Sequence, residues 1–598
     1  MSARKDQTFE ERGLETLAQR WRWFVALAAI CFALYFVINK AEVIRFFALP
    51  DTDDNMRMMQ VRALLNGQGW FDLRQYRLNP PTGANIHWSR LVDLPIAGLI
   101  LLFRPIAGAG ADRIAAAIAP MIPYVLLLFS IALTVRRLID PRAYPLAFLA
   151  LIFAASTNGM FMPMRIDHHG WQLALLALSV SAIADPNRIR GGITLGVASS
   201  LSLAIGLEML IYLAIFGVTM VLFWIDDPAE RDRLRPYAVT LGGGTSLAFL
   251  LFASNDNRAA VCDALSPVWL SDAVLAGALL FLLALLSPAD WKRRLALAAV
   301  AGMAVAAFHA LAWPHCLQRL EGVSPEVEQL WLSHVREARP FYRHGWRIAP
   351  LIIALPITGA IGWGLLIWLR RGDRELLRRT IGAAMPGFAA LLLLFWQTRT
   401  GPAAQMLATV GAATLAWTLL PPLWNSRVSA VRVIGTTAAV IVCAGALVPL
   451  ILNLVPAEKT TPFQKSIGVA NRLCASLWGL HPIAQQPRGM VMTFVDLGPR
   501  LITVTHHDAV TGPYHRNGEQ IADVMKFWRG DAAQARAIAA KYKATYVLSC
   551  PNSSTATIFM SETPKGFYMQ LEHGQVPGWM KPIPLPKDSP YRMWKIVA

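Results

Sequence analysis

The chain contains a succession of long apolar runs separated by short basic loops, and this pattern constrains its fold more than any other feature. Of the 598 residues, 55% are hydrophobic and only 16% are charged, with a mean hydropathy of +0.41. A soluble domain of this size does not need so much apolar surface, so we expect a polytopic α-helical membrane protein. The charged segment 1–22 leads into the first run without a small-residue cleavage site, which predicts a retained span.

The charges of the loops predict the topology. Basic residues beside the runs are expected on the cytoplasmic side: Arg136, Arg137, Arg142, Arg188, Arg190, Arg231, Arg233, Arg235, Lys292, Arg293, Arg294, 370–379, Arg427 and Arg432. The run 94–103 is too short to cross a bilayer, so we interpret it as an interfacial or re-entrant helix. About thirteen crossings remain, near 23–40, 114–135, 143–157, 169–185, 191–207, 208–225, 236–254, 267–287, 294–313, 347–369, 380–397, 402–421 and 432–454.

This topology puts the N-terminus inside and the C-terminus outside. We expect a multi-pass protein of a bacterial inner membrane, with its C-terminal domain in the periplasm. The net charge of +18 does not indicate nucleic-acid binding, because much of it lies in short loops where the positive-inside rule places it.

Three further parts are expected within this plan. Segment 41–113 is a first outer loop and segment 313–346 a second long one, both within a membrane domain of residues 1–454. From 455 to 598 the composition becomes that of a soluble domain. There 490–495, 501–504 and 545–549 are predicted as strands and 533–542 as a helix, which indicates a small α/β domain.

Two polar clusters lie in predicted outer loops. The first contains Asp51, Asp53 and Asp54, and the second contains Asp167 and His169. Acidic residues beside a membrane helix are costly unless they bind a cation or another charge. Their oxygen atoms suit Mg²⁺ or Mn²⁺, which would stabilise charge on a phosphate leaving group. The alternative for each cluster is an ordinary helix N-cap, although one aspartate would satisfy that role.

The motifs around these clusters resemble the GT-C superfamily of membrane glycosyltransferases, above all the catalytic subunit of oligosaccharyltransferase. The matching residues are Asp51, Asn55 and Arg57 of an Asp-x-x-x-[Asn/His]-x-Arg motif, Trp70-Phe71-Asp72, Pro80-Pro81-Thr82-Gly83, and Arg165-Ile166-Asp167-His168-His169-Gly170. His169 stands where the family usually has a second carboxylate. The resemblance implies that Asp51, Asp167 and His169 bind the divalent cation, with Asp53 as a substitute or additional ligand. Asp51 and Asp53 are also candidate catalytic residues.

A further match concerns the second long outer loop. Glu337 and Pro340 align with a family motif whose glutamate acts near the acceptor, so Glu337 is a candidate catalytic residue. Arg399 stands where these enzymes place a basic residue near the lipid-linked phosphate. The alternative for Glu337 is an ordinary solvated helix residue, and the alternative for Arg399 is an arginine that snorkels to the membrane interface.

Other polar residues of the outer loops are candidate substrate contacts. They are Arg57 and His87 in the first outer loop, Arg399, and His515 and Arg516 in the C-terminal domain. The segment with His515 and Arg516 also fits an ordinary hydrogen-bonded loop. Glu208, within an apolar stretch, is expected at the outer boundary between two spans, on the side of the acidic clusters.

The C-terminal domain departs from oligosaccharyltransferases at the motif that recognises the peptide acceptor. Those enzymes carry Trp-Trp-Asp-Tyr-Gly, whereas this chain has Phe494-Val495-Asp496-Leu497-Gly498. We therefore predict a glycosyltransferase that uses a polyprenyl-phosphate or polyprenyl-pyrophosphate sugar donor and a glycan or lipid acceptor. An oligosaccharyltransferase acting on protein is the alternative within this class. An ion-coupled transporter and a non-catalytic assembly factor are the alternatives outside it.

Four of the six cysteines lie on the predicted outer side, where the environment is oxidising. Cys262 and Cys316 are both in outer loops, and Cys474 and Cys550 are both in the soluble domain. These two pairs are therefore candidate disulfides, which require Cα atoms within about 7 Å of each other. Cys31 and Cys443 lie in spans and are expected to be packing residues.

Overall fold

The computed structural model describes residues 9–456 and 460–597. Helices dominate its first part: Phe9–Gln19, Trp21–Asn39, Ala41–Arg45, Thr52–Leu65, Asp93–Ala107, Ala111–Ile118, Met121–Leu138, Tyr144–Ile152, Ala155–Gly159, His169–Ile183, Arg188–Ile205, Leu210–Asp226, Arg231–Phe252, Pro267–Leu286, Trp291–Ala312, Pro325–Leu330, Ala349–Leu369, Arg374–Leu393, Gly401–Trp424, Thr436–Cys443 and Leu447–Leu454. Each of the predicted spans overlaps at least one of them.

The predicted membrane character is confirmed. Within the described residues, seven helical segments are long and apolar enough to cross a bilayer. The pair Val431–Cys443 and Leu447–Leu454, bent by 98°, is either a broken eighth span or a re-entrant loop. The helices His169–Ile183 and Leu210–Asp226 are apolar but shorter. The fold is thus polytopic and helical, while the count of about thirteen crossings stays a prediction.

Close helix packing in the membrane core depends on glycine. Helices Ala349–Leu369 and Gly401–Trp424 approach so closely that a Cβ atom on Gly362 would collide with the backbone of Gly411, and one on Gly411 with the backbone of Gly359. Small residues allow such an approach, and dispersion contacts between the backbones then stabilise the pair.

The loops segregate to two ends of the helices as the charge pattern predicts. At one end the basic loops meet, with Arg137 and Arg190 each 2.7 Å from Asp185, and Arg188 and Arg378 2.9 and 3.0 Å from Glu230. At the other end the acidic clusters meet the C-terminal domain. Which end faces the cytoplasm stays a prediction.

The C-terminal part is a mixed α/β domain. Its helices are Pro462–Cys474, Leu477–Ala484, Gly498–Val504, Gly518–Arg529, Ala532–Lys541, Ser554–Glu562 and Phe567–Glu572. Its strands are β1 (Met490–Met492), β2 (Asp508–Ala509), β3 (Tyr546–Ser549), β4 (Met580–Ile583) and β5 (Arg592–Ile596), in the spatial order β2-β1-β3-β5-β4. The β2–β1–β3 pairs are parallel, and β5 is antiparallel to both β3 and β4.

The predicted strands at β1 and β3 and the helix near 533–542 are confirmed. The strand predicted at 501–504 is wrong, because these residues belong to the helix Gly498–Val504. A short apolar run does not distinguish a strand from a buried helix, and Leu501, Ile502 and Thr503 are all buried. Pro499 in the first helical turn is the signal that favoured a helix.

The first outer loop is part of the same folded unit as the C-terminal domain. Ala509 of β2 accepts a hydrogen bond from the Asn79 backbone at 2.9 Å and donates one to the Arg77 carbonyl at 3.0 Å, which extends the sheet edge. Met56 and Trp88 belong to the apolar core of the domain. This shared core fixes the acidic helix Thr52–Leu65 against the domain.

Both candidate disulfides are present. Cys262 is bonded to Cys316 and Cys474 to Cys550, with Cα atoms 5.4 and 6.3 Å apart. The first bond pins the loop that precedes the helix Pro267–Leu286 to the segment after Trp291–Ala312. The second joins the helix Pro462–Cys474 to the end of β3.

Counting thiols tests these pairings. In the denatured, non-reduced protein, only Cys31 and Cys443 should react with maleimide, and all six cysteines should react after reduction. Reduction should also lower the unfolding free energy by about 2–5 kcal/mol per bond, because it releases the loop constraint on the unfolded chain. A Cys31→Ser/Cys443→Ala variant is the control and should show no reactive thiol before reduction. Additional reactive thiols in that variant would contradict the pairing.

Candidate functional site

The first acidic cluster begins a helix. Asp51 precedes Thr52–Leu65 in an extended conformation, and Asp54 Oδ2 accepts a hydrogen bond from the Asp51 backbone N–H at 3.1 Å. Asp54 is fully buried and also accepts a hydrogen bond from the Asp167 backbone at 3.0 Å. Asp51 is the N-cap residue and forms a capping box with Asp54, so the helix-start interpretation accounts for both. Asp54 also joins the two outer loops, and Asp53 is left for another role.

Arg165 links the two clusters. Its Nη1 lies 2.6 Å from Asp51 Oδ2 and 3.2 Å from Asp54 Oδ2, and its Nη2 lies 2.8 Å from Asp167 Oδ2. The backbone N–H of His169 donates to Asp167 Oδ1 at 3.0 Å. Asp51, Asp167 and His169 are thus brought to one place, as the sequence predicts, with the guanidinium between the two aspartates.

The cluster holds more negative than positive charge. Burial would raise the pKa of Asp51, but Arg165 outweighs burial and lowers it, and the pKa of Asp167 is lowered in the same way. Burial raises the pKa of Asp53 to about 7, with Asp51 and Asp167 adding to the effect, and burial also raises the pKa of Asp54. Asp51 and Asp167, whose pKa values are lowered, share one guanidinium, so the site keeps a net negative charge that attracts a further cation.

Two observations on single atoms agree with a cation site. Asp53 forms no hydrogen bond or ion pair in the described part of the chain, and Asp167 Oδ2 is buried without a hydrogen-bond donor of good geometry. Carboxylate oxygens with one imidazole suit a hard divalent cation. The ligand atoms of Asp51, Asp167 and His169 nevertheless do not meet within 4.8 Å of one another. Arg165 must therefore shift for one cation to contact all three.

A second group of polar side chains, His168, Gln172 and Glu208, adjoins the acidic cluster. His168 Nε2 lies 2.7 Å from Glu208 Oε1, and Gln172 Nε2 donates to Glu208 Oε2 at 3.0 Å. Glu208 lies on the side of the acidic clusters, as expected, and is a carboxylate that fixes His168.

Arg57 has a different role from the predicted substrate contact. Its side chain is 1% exposed, its Nη1 donates to Asp93 Oδ1 at 2.9 Å, and its guanidinium lies 4.2 Å from the Trp88 ring centroid. Nη2 also lies 3.4 Å from His168 Nδ1. A side chain that is enclosed in this way cannot touch a substrate in this conformation, so Arg57 positions His168.

The C-terminal domain closes over the cluster. Tyr514 donates a hydrogen bond to the Thr52 carbonyl at 3.1 Å, and Arg500 Nη1 donates to Asn55 Oδ1 at 3.2 Å. Asp496 accepts a hydrogen bond from Thr555 at 3.2 Å. Burial raises the pKa of Asp496, and the charge of Asp51 adds to the effect, which places Asp496 near the acidic cluster.

His87, His515 and Arg516 meet around Asp263. His515 Nε2 lies 2.5 Å from Asp263 Oδ2, and Arg516 Nη2 lies 2.6 Å from Asp263 Oδ1. The His87 and His515 ring centroids are 4.7 Å apart. Sequence reasoning predicted His87, His515 and Arg516 as site residues but not Asp263. The one indication of Asp263 in the sequence is that it follows Cys262, a candidate disulfide cysteine.

Glu337 and Arg399 form an ion pair with each other. The distance from Arg399 Nη2 to Glu337 Oε1 is 3.4 Å, and both side chains are exposed. In the described part of the chain, neither forms a hydrogen bond or ion pair with the acidic cluster. The structure therefore brings these two predicted residues together but not to Asp51.

Arg165 was not given a role by sequence reasoning. Its signal was present, because an arginine two residues before Asp167 belongs to the same motif. Asp54 is named in the first acidic cluster by sequence reasoning, but without a role separate from that of Asp51 and Asp53.

Comparisons with known proteins identify the fold. No protein-family model and no curated protein sequence matches the chain. Among solved structures, the oligosaccharyltransferase AglB from Archaeoglobus fulgidus, in complex with an inhibitory peptide and a dolichol-phosphate, aligns with 89% of this chain and 70% of its own, at 14% identity and a TM-score of 0.65.

Two further structures of the Archaeoglobus fulgidus oligosaccharyltransferase agree. One, tethered with an acceptor peptide containing the NVT sequon, covers 90% of this chain and 70% of its own at 16% identity and a TM-score of 0.61. One in complex with Zn and sulfate covers 87% and 67% at 14% identity and a TM-score of 0.58. The chain therefore has the fold of the archaeal oligosaccharyltransferase, which is the fold that the resemblance of its motifs implies.

Proposed function

We propose that this protein is a glycosyltransferase that transfers a sugar or short glycan from a polyprenyl-phosphate or polyprenyl-pyrophosphate donor to an envelope glycan or lipid. The observation that carries the proposal is the meeting of Asp51, Asp53, Asp167 and His169 from two loops at one end of the membrane helices. The fold supports it, because archaeal oligosaccharyltransferase has been solved with a dolichol-phosphate.

In this proposal Asp51, Asp167 and His169 hold Mg²⁺ or Mn²⁺. A bound divalent cation would stabilise the negative charge that develops on the phosphate leaving group. Arg165 now pairs with the two aspartates, so the cation and the guanidinium compete for them. Displaced from the aspartates, Arg165 carries a positive charge that is free to bind the donor phosphate.

Asp53 and Glu337 are the candidates that act on the acceptor. Asp53 has a carboxyl group with no hydrogen bond among the described residues, so it is available to orient the acceptor or accept its proton. Glu337 is paired with Arg399, and phosphate bound at Arg399 would release Glu337. Arg516 is fully engaged by Asp263, Asn85 and Asn257, so we assign it to positioning rather than to substrate binding.

The proposal includes the orientation of the protein in the membrane. The acidic end and the C-terminal domain would face the periplasm of a bacterial inner membrane, because the opposite end carries the basic loops. The donor's lipid tail would then lie in the bilayer and its phosphate at the outer surface.

Cation removal tests the function. Purified protein should transfer labelled sugar from a polyprenyl-linked donor to the cell's own lipid or envelope glycan fraction, and a chelator should abolish the transfer. Adding Mn²⁺ or Mg²⁺ should restore it, since the carboxylates otherwise bind Arg165 alone. A mock reaction with Ca²⁺ controls for non-specific cation effects, and undiminished transfer in chelator would contradict the metal assignment.

An oligosaccharyltransferase acting on protein is the second candidate. The shared fold with an enzyme solved with an acceptor peptide containing a sequon favours it. The two candidates differ in the acceptor and share the proposed donor site.

A further inference from the structure

A second cluster of ligand side chains lies apart from the acidic residues. His87 comes from the first outer loop, Asp263 from the loop after the helix Arg231–Phe252, and His515 from the C-terminal domain. One ligand atom from each of the three lies within 4.8 Å of the other two. Three segments distant in sequence thus bring two imidazoles and a carboxylate together.

The His87 ring lies beside the His515 ring, but its side chain forms no hydrogen bond with the described residues. Its Nδ1 is buried and has no hydrogen-bond partner among the described residues, whereas its backbone carbonyl accepts a hydrogen bond from Asn257 Nδ2 at 3.1 Å. A buried nitrogen left without a partner costs about 1–3 kcal/mol. Such an atom in a folded protein is usually explained by a water molecule or an ion.

Arg516 holds the Asp263 carboxylate in a fixed orientation. Arg516 donates to both Asp263 oxygens, at 2.6 and 2.7 Å, and its Nη1 donates to Asn257 Oδ1 at 2.7 Å. A carboxylate accepts about four hydrogen bonds or ligand contacts, so Asp263 retains a lone pair for a cation. Outer hydrogen bonds of this kind hold metal ligands in place in known sites.

We propose that His87, Asp263 and His515 bind one transition-metal cation of the Zn²⁺ class. Two imidazoles with one carboxylate are a ligand set found in Zn²⁺ sites, whereas Mg²⁺ prefers sites made mainly of oxygen ligands. His515 would coordinate the cation through the Nε2 lone pair, with the ring hydrogen on Nδ1.

This site differs in place and chemistry from the acidic cluster. It would join the first outer loop, the loop pinned by the Cys262–Cys316 bond and the C-terminal domain, and so clamp that domain on the membrane helices. The other group of three candidate ligands in the described residues, Cys262, His315 and Cys316, is not available, because its cysteines are bonded to each other.

Metal content of the full-length protein in detergent tests the site. After chelation, titration with Zn²⁺ and dialysis, wild-type protein should retain a Zn²⁺ equivalent that His87→Ala lacks, with at least about tenfold weaker binding in the variant. His87 is the informative position because its side chain forms no hydrogen bond here, so its loss should not prevent folding. Zn²⁺ should also raise the thermal unfolding temperature of the wild type more than that of His87→Ala.

Two comparisons make the result specific. His573→Ala removes an exposed histidine of the same domain and should leave the Zn²⁺ equivalent in place. An Asp51→Asn/Asp167→Asn variant should also keep it, and this readout does not depend on glycosyl transfer. The proposal is overturned if wild-type protein retains no Zn²⁺, if His87→Ala retains as much, or if only the aspartate variant loses it.

Discussion

Replacing Asp51 or Asp167 by asparagine should reduce glycosyl transfer by about 100-fold or more. Each substitution removes a negative charge from the pair that Arg165 now bridges, at 2.6 Å from Asp51 and 2.8 Å from Asp167. Asparagine keeps the shape and one oxygen but binds a divalent cation weakly. Of the two carboxylates that Arg165 pairs with, one would remain, and Arg165 would balance its charge, with little attraction left for a cation.

The measurement is initial transfer rate against Mn²⁺ concentration, with folded protein measured by size-exclusion chromatography. Asp51 is the cleaner position, because its side chain is 42% exposed and its replacement does not bury a new polar group. Asp256→Asn is the matched control, since Asp256 pairs with Arg74 at 2.8 Å in the same outer region. Wild-type rates for both Asp51→Asn and Asp167→Asn at limiting Mn²⁺ would refute the site.

The features that could be predicted from the sequence are those that depend on neighbouring residues in the chain. Apolar periodicity and loop charge are local, and they gave the helices and the separation of basic from acidic ends. The motifs likewise predicted that Asp51, Asp167 and His169 lie together. The two disulfides followed from the compartment of each cysteine.

Contacts between distant segments were not predictable in this way. Nothing in the sequence near Leu78 indicates that it lies beside Ala509 at the sheet edge, or that Asp263 accepts hydrogen bonds from His515 and Arg516. Arg57 belongs to a motif of the first outer loop and is predicted as a substrate contact, yet it is buried against Trp88 and Asp93. Such pairings depend on tertiary packing, which a residue pattern does not encode locally.

Tertiary packing also limits which acceptor the C-terminal domain can recognise. Phe494 and Val495, which stand where oligosaccharyltransferases have paired tryptophans, are 2% and 1% exposed. The Phe494 ring lies 5.0 Å from the Trp528 ring and 5.6 Å from the Phe559 ring, inside the core of the domain. These side chains serve packing and offer no surface to a peptide. Asp496 is the one carboxylate of the segment, and the charge of Asp51 adds to burial in raising its pKa.

Purified protein with a polyprenyl-linked donor should therefore give no glycosylated Asn-x-Thr peptide above the background of a Gln-x-Thr peptide, while it labels the lipid or envelope glycan fraction. Discrimination of a peptide hydroxyl depends on fixed polar partners that stay unpaired with the wrong acceptor. Here Asp496 is the single candidate among the five residues of the segment, and Thr555 already donates to it at 3.2 Å. Both acceptors should be offered in one reaction, so that a failed donor is distinguished from a rejected peptide. Efficient transfer to the Asn-x-Thr peptide would instead establish the protein-directed alternative, because the donor site is common to both.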